Sequence, residues 1–303
     1  MNNYKSGFVT LLGRPNVGKS TLINKLIGKK ITITSPIAQT TRNKLKGILT
    51  TDDAQIIFID TPGVHKPHHL LGEKLVKNAK SAINGVDLIL LIFDSLHEPG
   101  KGDEYVKDLL LTNKYEFIVV LNKWDLVEEN DQKLRKKQYE ELFRDKLISF
   151  QEVSALTGFG CSSLIKKIKS YLPIGTLLYP DDTVVDQPLN ILLSELIREQ
   201  VLLNTREEIP HSVAVKIEKI EDVKSKGRDI TAILATIIVE RKSQKGILIG
   251  KKGSMLKTIG KTARTNMKKL IEGIIYLELF VKVVPNWRKK ESKLIEFGYE
   301  EDF

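Results

Sequence analysis

Short apolar runs alternate with longer stretches of helical apolar spacing over the first half of the chain. The runs FVTLLG, AQIIFID, VDLILLIFD and EFIVVLNK cover 8–13, 54–60, 86–94 and 116–123. Both faces of each run are apolar, which is typical of parallel strands covered on both sides. Helices are predicted at 19–28, 71–84, 101–113 and 131–145, followed by a strand at 149–153 and a helix at 161–171. This alternation predicts a doubly wound α/β domain that binds its ligand at the carboxyl ends of the strands.

The pattern breaks at 172–188, where three prolines and a glycine occur without helical period. Beyond it we predict a helix at 189–204, the strands SVAVKIEKIED and DITAILATIIVE, a basic helical segment and a strand at 274–284. This α-β-β-α-α-β order is that of a small α+β module. We therefore expect a mostly parallel α/β domain over 1–173, a linker over 174–187 and a smaller α+β domain over 188–303 that ends in a helix and tail.

The length and composition agree with two domains in the cytoplasm. A chain of 303 residues exceeds what one hydrophobic core usually serves. It contains no window of about eighteen apolar residues, and its N-terminus lacks the apolar region of a signal peptide. The single cysteine, Cys161, excludes an intramolecular disulfide.

The basic charge is concentrated in one late segment. The net charge of +10 and a pI near 9.3 suggest a polyanionic partner. Ten Lys or Arg and no acid lie between Arg241 and Lys269, whereas the tail from Glu291 to Phe303 carries five acids and one Lys. The second domain is therefore the part of the chain expected to bind an anion.

The stretch GRPNVGKST follows the first predicted strand and opens the first predicted helix. Glycines allow several backbone N–H groups to face the phosphates of a nucleotide, and the helix N-terminus adds positive potential. Lys19 would reach the β- and γ-phosphates, and Ser20 would offer a hydroxyl to Mg²⁺. The predicted phosphate loop comprises Gly13, Arg14, Pro15, Asn16, Val17, Gly18, Lys19, Ser20 and Thr21.

Two segments complete the phosphate side of the predicted site. DTPG, which is Asp60, Thr61, Pro62 and Gly63, ends the second predicted strand. Asp60 can hold Mg²⁺ through water, and the Gly63 N–H can face the γ-phosphate. The polar segment AQTTRN at 38–43 suits a mobile switch, in which Thr41 is the predicted Mg²⁺-sensing hydroxyl and Thr40 the alternative. The predicted metal site is therefore Ser20, Thr41 and Asp60.

Two further motifs select the base. NKWD supplies Asn122, Lys123 and Asp125, and the carboxylate of Asp125 can accept hydrogen bonds from both N1–H and N2–H of guanine. Adenine has no such pair of donors and would leave a buried carboxylate unpaired. SAL, which is Ser154, Ala155 and Leu156, can place backbone N–H groups near guanine O6. The four motifs in this order and spacing predict a GTPase that binds GTP and GDP.

The chain differs from Ras-type GTPases at a position that matters for GTP hydrolysis. Ras-type GTPases carry a water-positioning glutamine after this DxxG motif, whereas this chain has Val64, which cannot orient water. In related GTPases without the glutamine, an asparagine at the loop position of Asn16 helps to hold a potassium ion. A local bracing role is the alternative for Asn16. The predicted catalytic residues are Asn16, Lys19, Thr41 and Gly63.

The histidines after DTPG are an exposed switch loop in our interpretation. His65, His68 and His69 are interrupted by Pro67, and no acid or cysteine flanks them. The cluster therefore lacks the ligand pattern of a metal site.

A GxxG loop with two lysines at its tip lies inside the basic segment. It joins two predicted helices of the second domain, and the following helix is amphipathic. This context fits a KH domain, in which the loop clamps the backbone of about four nucleotides and an adjacent groove reads the bases. The lysines supply salt-sensitive attraction to phosphate. The predicted RNA-binding residues are Ile249, Gly250, Lys251, Lys252, Gly253 and Lys257.

The combined motifs resemble the Era family of bacterial ribosome-associated GTPases. The resemblance rests on the GTPase motifs together with IGKKGSMLKTIG and WRKKE, and it covers essentially the whole chain. It implies a KH domain that binds the 3′ end of 16S rRNA and a GTP state that supports maturation of the 30S subunit. It also implies a P-loop domain followed by this type of KH module. We expect a monomer.

Two other interpretations remain open at this point. The basic module could dock a signalling GTPase on the inner face of the cell membrane or on a protein, because basic residues also attract anionic lipid. The GxxG loop between helices disfavours this, since lipid binding does not need it. Alternatively, the chain could be a passive RNA-binding protein, which the intact Lys19, Ser20, Asp60 and Asp125 disfavour.

Overall fold

The computed structural model describes residues 3–37, 40–42, 44–63, 70–111, 115–144, 148–225 and 228–299. The chain forms two compact units. The first comprises Met1–Thr34, Thr41–His68 and Gly72–Asp186, and the second comprises Ser35–Thr40, His69–Leu71 and Gln187–Phe303. The described residues contain no helix that is long and apolar enough to cross a membrane.

The first unit is a seven-stranded sheet with helices. The strands have the order β6-β5-β4-β1-β3-β2-β7, and five of them run parallel. The strands are β1 (Lys5–Leu12), β2 (Leu45–Thr50), β3 (Ala54–Asp60), β4 (Leu88–Asp94), β5 (Phe117–Asn122), β6 (Ser149–Glu152) and β7 (Val185–Asp186). The helices are α1 (Lys19–Ile27), α2 (Leu70–Ser81), α3 (Lys101–Leu111), α4 (Gln132–Glu141) and α5 (Cys161–Tyr171).

Burial of both sheet faces explains the continuous apolar strands. Six of the seven residues of β4 are buried, and the two hydrophobic cores of the unit use alternate residues of the same strands. Leu88, Leu90 and Ile92 belong to one core, whereas Ile89 and Leu91 belong to the other. A strand between two helical layers therefore has no polar face, and the predicted doubly wound α/β class is confirmed.

Strand β2 was not predicted. It pairs antiparallel with β3, with Leu45 opposite Asp60 and Ile48 opposite Ile57. Lys46 interrupts its apolar pattern because the strand is covered less completely than β3, whereas Gly47 is buried where a Cβ would lie 2.3 Å from Ile31 Cδ1. It lies directly after the predicted switch and therefore connects that segment to the sheet.

The segment predicted as a linker, 174–187, lies on the first unit through Asp186. Val185–Asp186 forms β7 on the outer side of β2. Gln55 Oε1 accepts hydrogen bonds from the N–H groups of Leu178 and Tyr179, at 2.7 and 2.9 Å. The first compact unit ends at Asp186, and the second resumes at Gln187.

The second unit contains a three-stranded sheet of order β10-β9-β8. Strand β9 (Arg228–Val239) is central, antiparallel to β8 (Ala214–Ser225) and parallel to β10 (Ile274–Val283). The helices are α6 (Leu189–Asn204), α7 (Ile209–Ser212), α8 (Lys242–Ile249), α9 (Ser254–Met267) and α10 (Glu291–Glu296). The predicted order is therefore observed, with the short helix α7 added, and the expected α+β KH class is confirmed.

Trp287 packs the C-terminal part of this unit against its other elements. Its side chain is completely buried, and its Nε1 donates a hydrogen bond to the Ser212 carbonyl at 2.9 Å. The ring stacks on Tyr299 and meets the edge of Phe297, at centroid distances of 5.8 and 5.5 Å. These contacts hold α10 against α7 and explain why the WRKKE segment belongs to the folded unit.

Candidate nucleotide site and nucleic-acid groove

The phosphate loop lies between β1 and α1, and its backbone requires glycine at two positions. A Cβ on Gly18 would lie 2.3 Å from Asn122 Nδ2, and its φ of 95° is left-handed. A Cβ on Gly13 would lie 2.5 Å from the Ile92 carbonyl oxygen. Asn16 also adopts a left-handed φ of 65° and is exposed at the outer turn of the loop. The sequence therefore forms a tight turn at the N-terminus of α1, where backbone N–H groups can meet an anion.

Lys19 is a buried cation held inside the loop. Its Nζ donates hydrogen bonds to the carbonyls of Gly13 and Arg14 at 3.1 and 3.0 Å. Burial lowers the pKa of Lys19 to about 8, although the nearby Asp60 carboxylate acts in the opposite direction. Because a buried ammonium is unfavourable without an anion, this arrangement favours the binding of a phosphate.

Ser20, Thr41 and Asp60 meet at one point beside Lys19. Ser20 Oγ lies 2.8 Å from Thr41 Oγ1 and donates to Asp60 Oδ2 at 2.7 Å, and Thr41 Oγ1 donates to the same oxygen at 3.3 Å. Thr40 Oγ1 instead donates to the Ile37 carbonyl at 2.6 Å. The structure thus brings Thr41, and not Thr40, to the two other residues of the predicted metal site.

This cluster fits Mg²⁺. Asp60 is completely buried, and among the described residues its Oδ1 has no hydrogen-bond partner. Burial raises the pKa of Asp60, whereas the hydrogen bonds from Ser20 and Thr41 and the charge of Lys19 lower it. Hydroxyl and carboxylate oxygens are the ligands that Mg²⁺ uses beside nucleotide phosphates. The described residues contain no group of three or more His, Cys, Asp or Glu that could hold a metal.

DTPG lies directly against the phosphate loop. Thr61 is completely buried, and its Oγ1 donates to the Leu11 carbonyl at 2.5 Å. A Cβ on Gly63 would lie 2.6 Å from Pro15 Cα, so only glycine permits this approach. The Gly63 backbone is therefore placed beside the loop, as its predicted role requires. Val64, His65, His68 and His69 lie outside the described residues.

Asn122 connects the two sides of the base site. It is buried at the end of β5, its Nδ2 donates to the Val17 carbonyl at 2.8 Å, and its Oδ1 accepts from the Ala155 N–H at 3.0 Å. Lys123, with a left-handed φ of 62°, forms an ion pair with Asp94 at 2.5 Å. The exposed carboxylate of Asp125 follows within one turn. Asn122 therefore braces the site, which leaves Asp125 as the candidate base reader.

The backbone N–H groups of the SAL segment have more protein hydrogen-bond partners than the sequence suggested. The Ser154 N–H donates to the Phe159 carbonyl at 2.9 Å, and the Ala155 N–H donates to Asn122. Two of the three N–H groups predicted near guanine O6 thus already have protein partners. Leu156 is the most exposed large apolar residue of the described chain, at 75%.

Asp103, which was not predicted from the sequence, forms an ion pair with the phosphate loop. Arg14 Nε lies 2.9 Å from Oδ1 of Asp103, a buried carboxylate in the first turn of α3. Burial raises the pKa of Asp103, and the charge of Arg14 lowers it. No sequence pattern links positions 89 residues apart in this way, so only the fold reveals this contact.

The second unit carries a groove beside the GxxG loop. The loop turns between α8 and α9 with left-handed φ values at Gly250, Lys252 and Gly253. Both lysines of the loop are exposed. The groove encloses about 410 Å³ and is lined by Gly253, Leu256, Lys257, Gly260, Lys261, Arg264 and residues 276–279 of β10.

Of the predicted RNA-binding residues, Gly253 and Lys257 line this groove. Ile249, Gly250, Lys251 and Lys252 form the turn that leads into it. The other groove residues of α9 were missed, although they recur three and four positions apart from Gly253 onward and therefore share one helix face. The four residues of β10 had no such signal, because only the sheet brings them to the groove.

These features define a class, a P-loop GTPase followed by a KH domain. The family described as "50S ribosome-binding GTPase" matches residues 8–123, and the family described as "KH domain" matches residues 208–288. The chain is 55% identical to GTPase Era of Crocosphaera subtropica and 51% identical to GTPase Era of Synechocystis, in each case over 98% of this chain and 93% of the relative. The chain therefore belongs to the Era family of GTPases, and it is an enzyme that hydrolyses GTP.

Solved structures agree with this membership. The structure of Era in complex with MgGDPNP and nucleotides 1506–1542 of 16S ribosomal RNA has a TM-score of 0.93 and 39% identity, and the match covers 98% of this chain and 99% of that one. The structure of a point variant of Aquifex aeolicus Era bound to GDP·AlF4⁻ has the same TM-score and identity, over 97% of this chain and 99% of that one. The similarity extends through both domains.

Proposed function

We propose that this GTPase is a switch that binds the 3′ end of 16S rRNA through its KH domain and acts in assembly of the 30S subunit. The observation that carries the proposal is the groove of the second unit, where the GxxG loop opens onto a helix face bearing Lys257, Lys261 and Arg264. Such a groove suits unstacked bases, and its cations suit the phosphates beside them. The solved Era complex with nucleotides 1506–1542 of 16S rRNA supports the same partner.

The residues of the first unit give a mechanism for the switch. Lys19 would neutralise the β- and γ-phosphates, and Ser20, Thr41 and Asp60 would hold Mg²⁺, which screens the charge of the phosphates when bound. Thr41 contacts both other members of the cluster, so the segment that carries it senses whether the cluster is complete. Gly63 would sense the γ-phosphate through its backbone N–H. Loss of that phosphate would then release both segments.

Asn16 is our candidate for the catalytic contribution that Val64 cannot supply. Its left-handed conformation places it at the exposed turn of the phosphate loop, between Pro15 and Val17. A potassium ion held there would offset charge that develops between the β- and γ-phosphates during hydrolysis. The ion would take the place that an arginine finger has in other GTPases.

RNA binding can be tested with a matched pair of glycine variants. Gly253 and Gly298 have φ values of 78° and 81°, and a Cβ on either would meet nothing within 4 Å. An aspartate at either position would therefore meet no steric clash and would be strained to a similar extent by the left-handed φ, but only Gly253 lines the groove. We expect Gly253→Asp to weaken binding of a 16S rRNA 3′-end oligonucleotide at least tenfold in fluorescence anisotropy at fixed salt, since a carboxylate repels phosphate. Gly298→Asp should bind like the wild type.

The same pair defines the result that would contradict the proposal. GTP hydrolysis should be nearly unchanged in both variants, because neither glycine lies in the first unit. If Gly253→Asp binds the oligonucleotide as tightly as Gly298→Asp, the groove is not the RNA site. If the wild type binds an oligonucleotide of shuffled sequence equally tightly, the 16S assignment fails.

A further inference from the structure

The side chain of Arg14 extends from the phosphate loop to the first turn of α3. A Cβ on Gly102 would lie 2.6 Å from Arg14 Cδ, so the glycine leaves room for the arginine stem. Arg14 Nε lies 2.9 Å from Oδ1 of Asp103, whose side chain is fully buried, whereas that of Arg14 is about one-third exposed. The start of α3 therefore accommodates both the stem and the charge of this side chain.

The carboxylate that receives Arg14 has a fixed position. Its Oδ2 accepts a hydrogen bond from the Gly100 N–H at 3.0 Å, and the Asp103 N–H donates to the Gly100 carbonyl at 2.8 Å. Val106 and Leu110 of the same helix are completely buried in a hydrophobic core of the first unit. A carboxylate locked by its own hydrogen bond on a packed helix defines where the guanidinium of Arg14 lies.

The backbone of Arg14 belongs to the part of the site that binds phosphate. Its carbonyl accepts a hydrogen bond from Lys19 Nζ at 3.0 Å. The next residue, Pro15, lies against Gly63, because a Cβ on that glycine would come within 2.6 Å of Pro15 Cα. A shift of Arg14 would therefore move an acceptor of the phosphate-binding lysine and alter the packing of the loop on DTPG.

The contact with α3 lies between two other fixed points of the loop. Gly13 packs on the Ile92 carbonyl, where a Cβ would lie 2.5 Å from the oxygen, and the Val17 carbonyl accepts a hydrogen bond from Asn122 at 2.8 Å. With the Arg14 contact, the loop is held at positions 13, 14 and 17. A loop that is ordered before the nucleotide arrives loses less conformational freedom on binding, so its affinity for phosphate is higher.

The burial of Asp103 is more easily explained by geometry than by stability. Burial raises the pKa of its carboxyl and so disfavours the charged form. The attraction between two charges in a protein interior is largely offset by their desolvation, so a buried ion pair is a weak means of stabilising a fold. A pair with defined partners does fix the position of the segment that carries the arginine.

We propose that Asp103 is a positioning residue of the nucleotide site, which acts through Arg14 to hold the phosphate loop in the shape that binds the β-phosphate. Asp103 itself contacts the loop and not the nucleotide. The ordering of the loop benefits bound GTP and the transition state of hydrolysis equally. Loss of the pair should therefore lower nucleotide affinity and leave the rate of the chemical step nearly unchanged.

The first test replaces the carboxylate by an amide of the same shape. In Asp103→Asn the amide oxygen can still accept the hydrogen bond from Gly100, but the charge that attracts Arg14 is lost. We expect MgGDP and MgGDPNP to bind about fivefold or more weakly in fluorescence competition, while single-turnover hydrolysis of bound GTP stays within about twofold of the wild type. GMP should lose less than about twofold, because it lacks the β-phosphate that the loop and Lys19 hold.

A second variant moves the arginine without removing a charge. Gly102→Ala places a methyl group where the Arg14 stem lies, and alanine favours a helix, so this variant carries the test if Asp103→Asn does not fold. It should weaken MgGDP binding as Asp103→Asn does. The double variant Gly102→Ala/Asp103→Asn should lose no more than either single one, since both act through the same arginine.

The control is Asp108→Asn, the same substitution on the same helix. Asp108 pairs with Lys107 at 3.3 Å and its side chain is 68% exposed, so this variant should bind MgGDP like the wild type. Wild-type affinity in folded Gly102→Ala or folded Asp103→Asn would overturn the proposal. Equal losses for GMP and GDP would place the effect outside the phosphate loop. A tenfold slower single-turnover rate would assign the pair to the chemical step, and losses that multiply in the double variant would exclude a common action through Arg14.

Discussion

Protonation of Lys19 should control nucleotide affinity. The ammonium group is buried between the carbonyls of Gly13 and Arg14, and its pKa is lowered from 10.5 to about 8. This shift of more than two units corresponds to about 3 kcal/mol of penalty on the charged form in the free protein. A bound phosphate supplies the missing anion and restores the pKa. Binding of MgGDP near pH 8 should therefore take up about half a proton at Lys19.

The direction and size of the pH effect follow. Below pH 8 the lysine is charged before the nucleotide arrives, and affinity is at its plateau. One unit above the pKa only about a tenth of the free protein carries the charge, so affinity for MgGDP should fall about tenfold between pH 7 and pH 9, or about 1.4 kcal/mol. Removal of the cation in Lys19→Ala should cost at least tenfold in affinity for GTP and GDP at neutral pH.

Isothermal titration calorimetry in two buffers of different ionisation enthalpy measures the proton uptake directly. Lys19→Met should lose the uptake at pH 8. Lys25→Met is the matched control, because Lys25 is an exposed lysine in the last turn of the same helix. Any ionisation of the nucleotide is common to all three proteins. If Lys19→Met takes up as many protons as the wild type, or if wild-type affinity is flat from pH 7 to pH 9, the buried-cation argument is refuted.

Three further predictions concern the base, the switch and hydrolysis. Asp125→Asn should move the base preference from guanine to xanthine, because an amide can donate a hydrogen bond to the extra carbonyl of xanthine. Competition binding with GDP and XDP measures this preference. Retained preference for GDP would show that Asp125 does not read the base. Thr41→Ala should weaken Mg²⁺-dependent GDPNP binding several-fold and Thr40→Ala much less, since only Thr41 reaches Ser20 and Asp60; equal losses in a magnesium titration would contradict the assignment. GTP hydrolysis should be faster in KCl than in NaCl at equal ionic strength, and Asn16→Ala should abolish the difference; equal wild-type rates would leave Asn16 as a structural brace.

The fold could be predicted where burial dictates residue type. Strands β3, β4 and β5 are apolar on both faces because helices cover the sheet on both sides, and this pattern is visible in the sequence. The two-residue β7 is the edge of the sheet and β2 lies next to it, where polar residues are tolerated. Their patterns therefore carry little signal, and pairing with the neighbouring strand defines them.

The candidate sites also contain some residues that the sequence reveals and others that only the structure reveals. The phosphate loop and DTPG are contiguous motifs whose backbone geometry needs particular residues, such as glycine at Gly18 and Gly63. The Arg14–Asp103 pair and the β10 wall of the RNA groove join residues distant in sequence. The choice between Thr40 and Thr41 also required coordinates, because adjacent threonines are chemically identical in a sequence.

The most direct test of the account is to crosslink the protein to RNA in its own cells and sequence the attached fragments, with Gly253→Asp and Gly298→Asp in parallel. The account predicts that wild-type and Gly298→Asp fragments concentrate at the 3′ end of 16S rRNA, and that this concentration disappears in Gly253→Asp at equal protein level. Fragments spread over unrelated messages, or an unchanged 16S signal in Gly253→Asp, would contradict the claim that this GTPase binds ribosomal RNA through its KH groove.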